Sequence, residues 1–542
     1  MESAAEVFKS LSDEYCNGGD SALLSYVQVL QRWKVWLNNV PLFYSACVQF
    51  TDVWPSTSIQ LYPHVRTASG LSRHAVLYGN RRESDDVPLL VLATCLVGGQ
   101  GKSRPTQLQQ DEDAFRKVCS FTHTPGDIDR LRYCPQRPTL VAVKSAGAAL
   151  SLYDISPALS LLDRIPTEGP GAAAAAEETE ETEWAAAEEN RTGAGKDQSR
   201  SSGMEEKDEE PAGAGGSGAE GGGPISVLES PAQEDVSLAW GCCGPHGADS
   251  GGVRLYSGLL GGGVGEYAVR EDGSLAEVAI RRGGHDGDAT VVDLAWGSPS
   301  DIGPHMPAAE AGSCHSDGAL ASSGLLGSAG TDGRTLLWDP RQRQPALQAP
   351  RCRRDVNAVA FAAATDCGGG GDGAGPLLAT AGDEGIVRIY DIRMFGNGGA
   401  SACGGSSRTA GVPALHRLKA HNCRALQVSF SPHIRSLLAS SDDQGRVLLW
   451  DLDRTTHLGE GLDTRPQLLF VHAGHPLPVD DFSWSTELYG TLASVSGSIN
   501  PEVVAAARAY PGAESDLPQP PSAVQIWRPS EDILPQDPHG NR

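Results

Sequence analysis

His421, Ser440 and Asp442 or Asp443 are the residue types of a reaction centre: an imidazole, a hydroxyl and a carboxylate close together in sequence. In a nucleophilic enzyme the imidazole takes the serine proton and the carboxylate orients the imidazole. His285 and His475 stand in similar places, each just ahead of an alternating apolar segment. No nucleophile motif accompanies any of them. The alternative is a repeated structural network, since a buried histidine must have its hydrogen bonds satisfied. GGQGKS (98–103) suggests a phosphate-binding loop, but the pattern needs Gly five residues before Gly101, where Leu96 stands, and Arg-Pro follows instead of a helix. Gly368, Gly370 and Gly373 match a dinucleotide pattern only because the region is nearly all glycine, and a strand follows rather than a helix. Neither enzyme chemistry nor a cofactor or metal is expected.

The charge balance points to binding instead. The chain has 542 residues and a formal net charge of -25. So acidic a chain repels nucleic acid phosphates and favours basic protein partners. The twelve cysteines include no C-x-x-C pair, which speaks for reduced thiols and against a zinc ribbon. The beginning MESAAEVFKS has neither a basic start nor an apolar run, and Val87 to Val97 is too short to cross a bilayer, so a soluble intracellular protein is expected, with no membrane partner.

The elements that position these residues form a repeat. Trp338-Asp339, Tyr390-Asp391 and Trp450-Asp451 each end an alternating apolar strand; each strand follows a small-residue strand and a turn, LLGSAGTDG, LLATAGDEG and LLASSDDQG. Trp527 and Tyr153-Asp154 end weaker copies. Strand starts at Ile128, Val236, Val292, Val356, Leu426 and Val479, with a further unit from His74–Tyr78 and Leu89–Cys95, bring the count to seven. This is the WD40 blade signature, and it predicts an all-β, seven-bladed propeller. Asp339 to Asp391 is 52 residues and Asp391 to Asp451 is 60, longer than the usual period of about 40–45, the surplus being Gly/Ser/Ala-rich inserts. The unit at 233–270 is the most degenerate.

Two segments lie outside the repeat. Residues 21–40, free of Gly and Pro, predict a helix with Asp20 as N-cap and Pro41 as its end, bearing more large apolar residues than one packing face needs. Residues 164–229 hold 16 acids and 5 bases with almost no large apolar residue except Trp184, and predict a disordered acidic insertion. The expected organisation is a tail and helix over 1–43, propeller over 44–163, the insertion, the remaining blades over 230–530 and a flexible tail over 531–542.

Trp33-Lys34-Val35-Trp36, Pro41-Leu42-Phe43-Tyr44, Val53-Trp54-Pro55-Ser56, Asp129-Arg130-Leu131-Arg132-Tyr133-Cys134-Pro135-Gln136 and LLFVHAGH (468–475) resemble the histone-binding WD40 family, the retinoblastoma-binding, MSI-type subunits of chromatin assembly and deacetylase complexes. The resemblance spans roughly residues 25 to 530, inserts excepted. It implies a non-catalytic nuclear scaffold for histones H3 and H4 that joins other chromatin-complex subunits and makes no sequence-specific contact with nucleic acid. It also implies two sites. One is a flank groove for a histone H4 helix, using Tyr26, Leu30, Trp33, Lys34 and Leu37 of the helix, Glu460, Asp463 and Pro466 of a loop, and Leu468 and Phe470 after it. That loop, HLGEGLDTRPQ, is less acidic than the family's. The other is a channel mouth for a basic tail, using Asp127, Asp129, Arg130, Arg132, Glu234, Asp355 and Asn357, although Val236, Val292, Arg424 and Leu426 replace aromatic or acidic residues usual there. Two alternatives stay open: a cullin-ligase substrate receptor reading through the W-D-x-R boxes at Arg341 and Arg393, and a glutamate-rich WD40 ribosome-assembly chaperone.

Overall fold

The computed structural model describes residues 19–50, 55–68, 71–80, 87–98, 115–145, 149–165, 219–229, 237–242, 252–302, 324–363, 375–395, 413–454, 466–497 and 524–536. Its strands form seven antiparallel sheets arranged as the blades of a propeller. Inner strands begin blades 1 to 7 at Pro55–Ala68, Ile128–Cys134, Leu238–Cys242, Val291–Gly297, Val356–Phe361, Ala425–Phe430 and Val479–Trp484. Blade 7 is closed by the strand Tyr44–Phe50, which pairs antiparallel with Val524–Pro529, so the two ends of the chain share one sheet.

The repeat read from the sequence has a physical cause in each blade. The third strands carry Trp338, Trp450 and Trp527, all buried, and each indole N–H donates to a second-strand serine: Ser328 at 2.8 Å, Ser440 at 2.8 Å and Ser494 at 3.0 Å. The turn between those strands needs a left-handed residue. Gly333, Gly385 and Gly445 supply it, with φ of 74°, 65° and 78°, and a Cβ at Gly445 would strike the His475 carbonyl. Neighbouring blades pack through the aromatic ends of the inner strands; Phe361 of blade 5 lies over Gly297 of blade 4, where a side chain would not fit.

Three expectations about segment limits need correction. The acidic insertion does not run to 229: Ser226–Glu229 is the outer strand of blade 2, paired with Ala149–Asp154, and Ala219–Gly221 adds a fifth, parallel strand to blade 1. Apolar Val227 and Leu228 favour that pairing. Trp184 lies outside the described residues. The C-terminal tail is held as far as 536, because Leu534 is buried beside the N-terminal helix, the Ser530 N–H donates to the Phe43 carbonyl at 2.8 Å, and Tyr489 Oη donates to the Pro535 carbonyl at 2.7 Å. The N-terminal helix, α1, runs Gly19–Phe43. Asp20 therefore lies in its first turn, where a carboxylate still favours the helix dipole, and the helix passes Pro41 by two residues. The degenerate blade 3 extends to Arg281 and is fastened by Glu266, which pairs with Arg281 at 2.6 Å and Arg254 at 3.4 Å.

Candidate functional site

The three histidines form the structural network. His421 bonds Asp442 through Nδ1 at 2.9 Å and Ser440 through Nε2 at 2.6 Å, and all three side chains are buried. His285 repeats this with Asp332 and Ser328, and His475 with Ser496 and Ser494. Ser440 also accepts the Trp450 indole proton, so its hydroxyl is occupied and sealed from any substrate. Among the described residues no group of His, Cys, Asp and Glu is placed to hold a metal ion, and no helix is long and apolar enough to cross a membrane. GGQGKS and the glycine run at 368–373 lie almost wholly outside the described residues.

Helix α1 lies along the flank of blades 6 and 7. Its buried row is Val27, Leu30, Trp33, Trp36 and Val40, at helical spacing. Trp33 Nε1 donates to the Gly474 carbonyl at 3.0 Å, and Trp36 Nε1 donates to Tyr44 Oη at 2.7 Å. Tyr44 Oη meets His472 Nδ1 at 2.9 Å. Burial holds His472 well below its ordinary pKa, which keeps the ring neutral and able to accept the phenol proton. His472 in turn stacks on Trp527, ring centroids 4.1 Å apart. The run LLFVHAGH is thus the surface on which α1 is glued.

Leu30 and Trp33, expected to touch a histone helix, are instead 0% and 3% exposed and face the propeller. The outward row is Val35 and Leu42, 60% and 56% exposed, with Lys34 half-buried beside them, and Phe43 follows at 46%. Sequence periodicity over 21–40 contained this information: Val35 stands off the row that Leu30, Trp33, Trp36 and Val40 define. Leu37 and Phe470 are half-buried partners of the same core, and Pro466 and Leu468 are half-buried at the start of blade 6's outer strand. The Tyr26 side chain, Glu460 and Asp463 lie outside the described residues.

At the channel, inner strands bring charged residues from three blades together. Asp481 of blade 7 is fully buried and accepts from Arg132 at 2.8 and 3.0 Å and from Arg130 at 3.3 Å; it also accepts from Ser58 Oγ at 2.8 Å and the Ile59 N–H at 3.1 Å. Burial would raise the Asp481 carboxyl, but the two guanidiniums hold it below its ordinary value. Asp293 of blade 4 accepts the Val359 N–H at 3.0 Å, and burial raises its carboxyl. Arg130 and Arg132, expected at a tail-binding mouth, are therefore committed to tying blades 1, 2 and 7. Asn357 is likewise held, donating to Asp383 and the Ala425 carbonyl at 2.9 Å each. Asp127 and Asp355 sit half-buried at the leading ends of the inner strands of blades 2 and 5, with Asp129 one turn of the pleat further in. Glu234 lies outside the described residues. The sequence contained Asp481 and Asp293 inside Val-Asp-Asp-Phe and Val-Asp-Leu strands, but only the assembled ring brings them near arginines.

The W-D-x-R arginines fold back on their own turns: Arg341 grips Asp339 at 3.0 and 2.7 Å, and Arg393 grips Asp391 at 3.0 and 2.6 Å.

Residues 31–95, which take in most of α1, the closing strand and much of blade 1, match the family model of the histone-binding protein RBBP4 or the corresponding CAF1-complex protein. Histone acetyltransferase type B subunit 2 of Candida glabrata is 19% identical over 520 residues, covering 93% of this chain and 89% of that protein. The proteins of the same name from Mycosarcoma maydis and Debaryomyces hansenii are 26% and 29% identical over 145 and 123 residues, 23% and 22% of this chain and 34% and 28% of theirs. With its glued N-terminal helix and seven blades, the chain is thus similar to the histone-binding WD40 family.

Proposed function

We propose that this protein is a non-catalytic histone-binding subunit that works in the nucleus with other subunits of chromatin complexes. The observation that carries the reading is the outward face of α1. A helix glued by Leu30, Trp33 and Trp36 still presents Val35, Leu42 and Phe43 to solvent, beside blade 6's outer strand with Val471 39% exposed. An amphipathic histone helix that covered them would bury enough apolar surface for each anchor to contribute about 1–3 kcal/mol. Glu460 and Asp463, which precede Pro466 in sequence, add carboxylates of the sign that its arginines attract.

A second, weaker contact is a basic histone tail at the channel mouth. There Asp127, Asp129 and Asp355 would make charge-assisted bonds to it, with Glu234 a further carboxylate in sequence. The cullin-adaptor reading through Arg341 and Arg393 has less in its favour, since both guanidiniums are engaged by the preceding aspartate.

The experiment is affinity for H3–H4 by titration calorimetry. Val35→Asp with Leu42→Asp should weaken binding by at least about tenfold while the melting curve is kept, because neither residue packs on the propeller. Leu30→Asp should instead lower the melting temperature sharply. Undiminished binding by the Val35/Leu42 variant would exclude the flank.

A further inference from the structure

Blade 5 lacks the plug that its neighbours share. Cys352 stands nine residues before Phe361, the spacing at which His421 precedes Phe430 and His475 precedes Trp484; Thr380 and Tyr390 occupy the places of Ser440 and Trp450. Beside these smaller residues opens a cleft of about 860 Å³ between blades 4 and 5, lined by Arg351, Arg353, Arg354, Arg388 and Arg417.

In a chain of net charge -25 this is an anomaly of placement. Arg388 and Arg417 are direct cross-strand partners, an arrangement that repels. Glu384 pairs with Arg388 and accepts the Arg353 backbone N–H at 3.0 Å. Asp383 is occupied by the Asn357 amide. Arg351 is used by Asp286 at 3.0 Å and by the Asp332 carbonyl. The guanidiniums of Arg353, Arg354 and Arg417 are exposed and carry no hydrogen bond or ion pair among the described residues. Five arginines against the three carboxylates of Asp286, Asp383 and Glu384 leave a local excess of two positive charges around a recess whose other walls are apolar, Ile386, Pro413 and Ala414. The strand His416–Leu418 ends its sheet there, with Leu415 54% exposed beside it.

We propose that this cleft docks an acidic segment of a partner protein, its carboxylates taken by Arg353, Arg354 and Arg417 and its backbone laid along the His416–Leu418 edge. Guanidinium forks match carboxylate geometry. The apolar walls and the unpaired strand edge suit a peptide. A nucleic acid backbone uses neither and is repelled at range by the rest of the chain.

The test is fluorescence anisotropy on the full chain, with a fluorescein-labelled peptide of alternating glutamate and alanine as the probe at low salt. Arg354→Glu with Arg417→Glu should weaken binding at least about tenfold, since each lost fork removes a charge-assisted bond. Arg354→Gln with Arg417→Gln, which adds no like-charge repulsion of the peptide, should weaken it in the same direction and serves if the reversal does not fold. H3–H4 binding should be unchanged in both. Equal affinity of wild type and variants would overturn the proposal, as would tighter binding of duplex DNA than of the peptide. So would a silent wild type that binds the peptide once Glu205, Glu206, Glu209 and Glu210 are changed to Gln, because the chain's own acidic segment would then be the occupant.

Discussion

Blades 5 and 6 are neighbours built on one strand pattern, and they solve the same packing problem differently. Blade 6 closes its core with polar bonds: Trp450 to Ser440, Ser440 to His421, and His421 to Asp442, which also takes Arg446. Blade 5 fills the equivalent volume with Thr380, Cys352 and Tyr390, and its polar atoms are arginines directed at a cleft. Burial raises the Cys352 thiol, so it behaves as a small apolar group there. A network in which every buried polar atom has a partner rigidifies a blade. Where the partners are missing, the same fold has room for a ligand, and charge appears that the fold does not need.

The largest test of this contrast is Trp450→Ala, which should cost about 3–5 kcal/mol in urea unfolding, because it empties a fully buried site and orphans Ser440 and His421. Tyr390→Ala should cost less, its side chain having no bonded network to disrupt. Equal costs would mean the networks are incidental to stability.

Acid should separate the blades next. Burial lowers His475 of blade 7 to about 3 and His123, ahead of blade 2, to about 4, against an ordinary 6.5. In the unfolded chain these rings bind protons near pH 6.5, so the stability they contribute is present above that pH and is lost as pH falls towards 4. Hydrogen exchange followed from pH 7 to pH 4.5 should show blades 2 and 7 losing protection before blade 5, which has Cys352 at the histidine position. Uniform loss would break the comparison.

The smallest effect expected is a gain. Arg417→Gln removes one member of a like-charge cross-strand pair and should stabilise the protein by roughly 0.2–1 kcal/mol in the absence of ligand, read from the urea midpoint. A loss of stability would mean that Arg417 is already neutralised.

Blades 4, 5 and 6 were legible because each repeats small-residue strand, Gly turn and aromatic strand, and every part of that pattern has a local cause; the others were counted from weaker copies and from their strand starts. The flank was legible only as a helix. Residues 21–40 hold eleven large apolar residues, but which of them face the propeller depends on Gly474, Tyr44 and His472, brought to it from the last two blades. The same limit applied at the channel. Arg130 and Arg132 are 351 and 349 residues from Asp481, and no local pattern announces that they are its counter-ions. Ser226–Glu229 was absorbed into the acidic insertion because four residues beside a charged run give no periodicity to read.

The closing of blade 7 carries a consequence for how the molecule comes into being. The Tyr44–Phe50 strand leaves the ribosome long before its partner Val524–Pro529 is made. Loop-closure entropy rises only slowly over such a separation, but the pairing still waits until that second strand is made. Helix α1 waits with it, since Gly474, His472 and Trp527, on which it rests, arrive late as well. A chain interrupted before blade 7 would still bear the helix and have nowhere to lay it. The flank surface therefore exists only once blades 6 and 7 have been made, and a partner that docks there would be selecting chains that carry both blades over chains that stop short of them.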